Sequence, residues 1–205
     1  MKKCFILIMA MMAFMMTNCK QDPIEPSGNE HPEGVEELKT PEVVSKVVIN
    51  PNGFNTLFVQ LHNPNGIAID LNFDVEFFKD GQMIGGAEGL FYFSLPKNDD
   101  CMIWSNWEIP ADPDEIKITN WEFDVAYYQP VEMAITKEEV GPDYVDLGFR
   151  TEKVFQFEAG VNLVYYKNNE IIGLCSKCFL PGDNLEYAFE IFDGYDNYKI
   201  FARAY

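Results

Sequence analysis

Ile67, Ile69, Leu71, Phe73, Val75 and Phe77 occupy every second position, with Asp70, Asn72, Asp74 and Glu76 between them. Period two over that length predicts a β-strand with one face in a core and the other in water. Similar alternation predicts strands at Val43–Ile49, Leu57–Leu61, Leu90–Leu95, Cys101–Ile109 and Ile116–Val125. In the last of these the inward parity switches near Thr119, which predicts a bulge. The clusters Asn50-Pro51-Asn52-Gly53 and Asn63-Pro64-Asn65-Gly66 separate strands, and Asp80-Gly81 predicts a tight hairpin. No stretch carries a helical period.

The pattern then recurs. Tyr144–Phe149 alternates, Phe155 to Tyr165 forms a second long strand, Ile171-Ile172 returns from a turn, and Leu185–Ile191 and Tyr198–Ala204 follow. Val75-Glu-Phe-Phe-Lys-Asp-Gly and Leu163-Val-Tyr-Tyr-Lys-Asn-Asn echo each other at an offset of 88, which also relates Leu57 to Val145 and Gly85 to Gly173. Inward positions map onto inward positions, as a duplicated sandwich requires, because a one-residue slip would flip every side chain. The expected fold is all-β: two tandem immunoglobulin-like β-sandwich domains, at 41–127 and 128–205, after a signal peptide and a disordered tether.

Composition narrows the function. Hydrophobic residues make up 47% of the 205 and aromatics 15%, ample for packed cores and suited to strands. The net charge of −18 repels phosphate backbones and argues against nucleic acid as a partner.

The first residues change the picture. Lys2 and Lys3 precede an apolar run, Cys4 to Met16, too short to span a bilayer and suited to a secretory signal. Met16-Thr17-Asn18-Cys19 then resembles the lipobox of bacterial lipoproteins, departing from it at Asn18. The resemblance implies cleavage after residue 18 and lipidation of Cys19; the alternative is an ordinary cleaved signal with an incidental cysteine. Residues 19–40, with Pro23, Pro26, Pro32 and many acids, read as a flexible acidic tether. Lys20-Gln21-Asp22 loosely resembles the surface-export signals of Bacteroidetes lipoproteins. The strand ending in an aromatic pair and returning through a hydrophobic residue and glycine resembles the FxLYD-type and related immunoglobulin-like domains of bacterial surface lipoproteins, although Lys79 and Lys167 stand where Asp is common. That resemblance implies an envelope interaction module and no catalytic residues.

Candidate chemistry is sparse. His31 and His62 are the two histidines, and no serine sits in a nucleophile elbow. Cys175-Ser-Lys-Cys178 lies in a predicted strand, where residues three apart are ~10 Å apart on opposite faces, too far for a disulfide. Asp114 and Asp196 occupy corresponding acidic loops and are weak calcium candidates against solvated loop acids. Trp107, Trp121, Phe123 and Tyr165 read as core. Trp104, Tyr128 and Tyr166 fall on outward positions and are the candidate ligand-binding residues.

The expected function is a non-catalytic, lipid-anchored binding or adhesion module of the bacterial cell envelope, at the outer membrane or cell surface, with a glycan or protein ligand and no cofactor. The alternatives are a structural subunit of an envelope assembly that pairs by strand addition and, more remotely, a hydrolase using Asp74 and Glu76.

Overall fold

In the computed structural model, residues 37–50 and 53–205 are described; the expected signal peptide, Cys19 and nearly all of the expected tether lie outside them. The described chain is twelve β-strands and no helix: β1 (Glu42–Ile49), β2 (Thr56–His62), β3 (Ile69–Lys79), β4 (Gln82–Leu95), β5 (Asp99–Ser105), β6 (Glu115–Val125), β7 (Met133–Val140), β8 (Tyr144–Thr151), β9 (Ala159–Lys167), β10 (Glu170–Phe179), β11 (Glu186–Glu190) and β12 (Asn197–Ala204). They form four three-stranded antiparallel sheets, ordered β1–β2–β5, β4–β3–β6, β7–β8–β11 and β10–β9–β12. The last two sheets repeat the first two with every strand number raised by six.

Alternation places the cores. Leu57, Val59 and Leu61 of β2 meet Ile69, Leu71, Phe73, Val75 and Phe77 of β3 in a first core between two sheets. Val145 and Leu147 of β8 meet Val161, Leu163 and Tyr165 of β9 in a second. A third, smaller core joins the other faces of the middle sheets, with Phe58 and Cys101 from β2 and β5 against Val164 and Phe201 from β9 and β12. The layers therefore run β4–β3–β6, β1–β2–β5, β10–β9–β12, β7–β8–β11, with apolar packing at all three junctions. A fully buried large apolar side chain contributes about 1.5–3 kcal/mol. Phe58 and Val164 are both fully buried, so the middle junction adds materially to the stability of both halves.

The two long hairpins turn alike. Asp80 and Gly81 both have positive φ, 50° and 73°, as do Asn168 and Asn169, 49° and 66°. Both turns are the two-residue type with left-handed central positions that matches strand twist. The predicted bulge of β6 is present as a register shift opposite Asn72 and Asp74, with Asn120 at φ 52°.

Several expectations need correction. The strand expected at Leu90–Leu95 is the second half of a longer one, β4, which runs from the hairpin at Gln82 with register shifts against β3. β5 stops at Ser105, so Trp107 is 82% exposed rather than core, while Ile109 remains buried outside any strand. The parity of β5 is also reversed: Met102 and Trp104 face the first core, and Cys101 and Ile103 face the middle junction. Both faces of β5 are apolar, so alternation alone could not tell core from junction. β9 begins at Ala159, which leaves Phe157 in the entering loop and 47% exposed, although Phe155 is buried in the second core. β7 was not expected at all. It is an edge strand, exposed along most of its length, with little apolar alternation to mark it.

Candidate functional site

β4 and β12 bring together residues far apart in sequence, the Arg203 guanidinium of β12 reaching the Tyr92 hydroxyl of β4. Phe91 and Tyr92 are neighbours on β4, so they point to opposite faces: Tyr92 enters the first core and Phe91 is 61% exposed. On β12, Ala202 and Ala204 pack on the second core and Phe201 on the junction; Arg203 lies on the same face as Phe201. The C-terminal Tyr205 pins the loop before β9. Its carbonyl accepts the N–H groups of Gln156 at 2.6 Å and Phe157 at 2.8 Å, and its own N–H donates to the carbonyl of Glu158 at 2.9 Å.

These elements enclose a cleft of about 530 Å³ lined by Phe91, Tyr92, Gln156, Phe157, Glu158, Arg203 and Tyr205, with Met102 and Ile103. An edge-to-face series extends its aromatic wall: Phe157 to Tyr128 at 4.8 Å, then Tyr128 to Tyr127 at 4.6 Å. Tyr127 is exposed. A second cleft, of about 540 Å³, shares Arg203 and is walled by polar side chains including Lys97, Asp99, Gln129 and Glu132. Beside it the His62 ring nitrogen Nδ1 meets Asp99 Oδ1 at 2.7 Å, and the Gln60 amide donates to Asp99 Oδ2 at 3.2 Å.

Arg203 is the electrostatic centre. Its Nη1 donates to Asp100 Oδ2 at 2.6 Å, to the Tyr92 hydroxyl, and to the Cys101 carbonyl at 3.4 Å. Its guanidinium carbon lies 4.8 Å from the Tyr92 ring centroid and 5.7 Å from that of Tyr205. Burial pushes Asp100 up to about 7, opposed by the Cys101 N–H that donates to it, and the same burial pushes Arg203 down. The close contact between the two charges offsets that desolvation. Burial also pushes the Tyr205 hydroxyl well up, so the phenol stays protonated. The site therefore offers aromatic faces and polar groups around a cation already paired with a buried carboxylate.

The expected ligand-binding residues do not share one surface. Trp104 packs partly buried against the first core, contrary to its expected outward position. Tyr166 is half-buried at the middle junction, where burial raises its hydroxyl. Tyr128 alone reaches the cleft, through Phe157. Cys19 lies outside the described residues.

Asp114 and Asp196 hold turns. Asp114 Oδ2 accepts the Asp80 N–H at 2.8 Å and Asp196 Oδ2 the Asn168 N–H at 2.6 Å; Lys79 also meets Asp114 at 3.0 Å. Among the described residues no cluster of three or more His, Cys, Asp or Glu side chains could hold a metal. Asp74 accepts hydrogen bonds from the Asn120 amide at 2.7 Å and the Gly89 N–H at 2.8 Å, and these hold its carboxyl below the usual range, the reverse of what a general acid needs. Cys175 and Cys178 lie three apart on β10 as free thiols, both raised chiefly by burial.

Sequence reasoning missed Phe91, Phe157, Asp100 and Arg203. Asp100 reads as one of three polar residues in a loop, Asn98-Asp99-Asp100, and Phe157 as an inward strand residue. One signal was available: Arg203 is one of only two arginines, and it interrupts an apolar strand. A guanidinium in such a place calls for a partner carboxylate. Among the described residues no helix is long and apolar enough to cross a membrane. The chain matches no protein-family model and no curated protein.

Proposed function

We propose that this chain is a lipid-anchored binding module of the bacterial cell envelope, built of two tandem immunoglobulin-like sandwiches that arose by duplication. It holds its ligand, without chemical turnover, in the cleft beside Arg203. The carrying observation is that cleft, with Phe91 and Phe157 presented to solvent at its rim. Large exposed aromatics around a concave site with convergent polar groups favour binding. The repeated strand order and the matching hairpins support duplication. The Lys2-Lys3 start, the short apolar run and Cys19 support the anchor. The test is retention. Full-length protein expressed with a palmitate analogue is expected to carry label that Cys19→Ala removes, and Phe91→Ala with Phe157→Ala is expected to lose capture of envelope material. Label on Cys19→Ala, or capture unaffected by the double variant, defeats the corresponding half of the reading.

A second reading has its own observation. β7 is an exposed edge strand with unpaired backbone groups along one side, which suits pairing with a strand of an envelope assembly. Size-exclusion chromatography of the full chain and its Thr136→Pro variant separates the two: loss of a larger species supports assembly through β7.

A further inference from the structure

We propose that the cleft beside Arg203 takes a neutral, hydroxyl-rich glycan segment rather than an anionic or peptidic ligand. This rests on the binding-module reading above and names its ligand class.

Charge excludes the acidic candidates first. The one cation lining the cleft, Arg203, has its Nη1 committed to Asp100, Tyr92 and the Cys101 carbonyl. The other charged group lining it is Glu158, so the immediate surroundings are negative once Asp100 is counted. The chain as a whole carries −18. A phosphate, sulfate or uronate would enter against that field and would have to compete with Asp100 for the Arg203 guanidinium.

The lining then selects among neutral and basic ligands. Phe91 and Phe157 give flat apolar surfaces, and the Tyr128–Tyr127 series extends them along one side. Beside them stand the Gln156 amide, which donates and accepts, and the Glu158 carboxylate, which accepts; the buried Tyr92 and Tyr205 hydroxyls behind them already donate to the Cys101 and Ser94 carbonyls. A pyranose ring has this same division, an apolar C–H face to lie on an aromatic ring and a polar edge of hydroxyls. A basic peptide would gain from Glu158 and is the competing ligand, but it lacks the flat C–H face that matches the aromatic rings. No strand edge is needed for a sugar, and the open cleft accommodates a chain that continues past it.

The experiment is a printed glycan array probed with the full chain in detergent, holding neutral hexose, N-acetylhexosamine and pentose oligomers, their carboxylated and sulfated counterparts, and a lysine-rich peptide. Hits are followed by calorimetry. Neutral oligosaccharides are expected to bind, and Phe91→Ala or Phe157→Ala to weaken that binding at least about tenfold. Trp107→Ala, which removes an exposed ring elsewhere, is expected to change it less than about twofold. Phe91 and Phe157 are 61% and 47% exposed, so melting curves recorded for each variant beside its binding isotherm separate loss of the cleft from loss of the fold. Binding confined to anionic glycans or to the peptide, and lost in the two Phe variants, overturns the neutral-glycan assignment while the cleft stays the site. Neutral binding that neither variant weakens overturns the site itself. No binding by any neutral oligomer overturns the assignment.

Discussion

Asp114 closes the β3–β4 turn by accepting the backbone N–H of Asp80 at 2.8 Å, and its own N–H donates to the carbonyl of Phe78 at 2.9 Å. Asp196 repeats both contacts on the β9–β10 turn, with Asn168 at 2.6 Å and Tyr166 at 2.8 Å. A carboxylate that satisfies a turn N–H locks the hairpin against fraying.

Removing either carboxylate therefore loosens one hairpin and leaves the other. Amide exchange at Asp80 is expected to accelerate about tenfold or more in Asp114→Ala, with Asn168 unchanged, and the converse in Asp196→Ala. Hydrogen exchange read by NMR checks this. Because both carboxylates already have partners, millimolar calcium is expected to leave the melting temperature where it was.

The partly buried Arg203 and the buried Asp100 form an ion pair across the middle junction. Truncating one partner strands the other's charge, so Arg203→Ala is expected to destabilise by about 3–5 kcal/mol at pH 8. Arg203→Met combined with Asp100→Leu is expected to be milder than either single change, which urea denaturation in a double-mutant cycle will show.

The same pair sets a pH dependence. Burial raises Asp100 from its ordinary value of 3.8 to about 7 in the folded protein. Between those values the folded state holds a proton that the unfolded chain releases, so this contribution to stability is complete below about pH 4 and is lost as pH rises through 7. The slope from this one group is at most about 1.4 kcal/mol per pH unit. Subtracting the stability curve of Asp100→Asn from that of the native chain between pH 4 and 8 isolates it; a difference that rises with pH contradicts the assignment.

Gly173 has no room for a side chain. An added Cβ would stand 2.3 Å from the Phe192 ring, which in turn packs 5.4 Å from the Tyr165 ring in the second core. Gly173→Ala must push Phe192 aside and is expected to destabilise by about 1–3 kcal/mol. At the corresponding Gly85 the added atom would meet Pro110 Cδ at 3.3 Å, so Gly85→Ala is expected to be milder. Thermal melts of both variants, with Phe192→Leu as a suppressor of Gly173→Ala, test the packing.

The long strands were legible because one face of β3 meets a core and the other meets water, which writes a clean period-two pattern. Tyr165 could be placed inward on the same grounds, and it is fully buried. The middle junction was hidden for the complementary reason. β2 is buried from Thr56 to Leu61, so Phe58 and Gln60 carry no contrast with their neighbours to reveal a second packed face. Tyr128 was singled out, yet the residues around it could not be. Phe157, Arg203 and Asp100 meet through the stacking of layers, and nothing in local alternation encodes which layer lies on which.

The layering carries one further consequence. The offset of 88 that relates the halves pairs Phe58 with Asp146 and Val164 with Glu76. At the middle junction these positions are phenylalanine and valine; on the two outermost faces they are acids, one of them neutralised by Lys137 at 2.6 Å. A face that could accept another layer by the same packing is thus hydrated at each end. The stack is closed by charge substitution, and the sequence limits it to four sheets without any strand having to cap it.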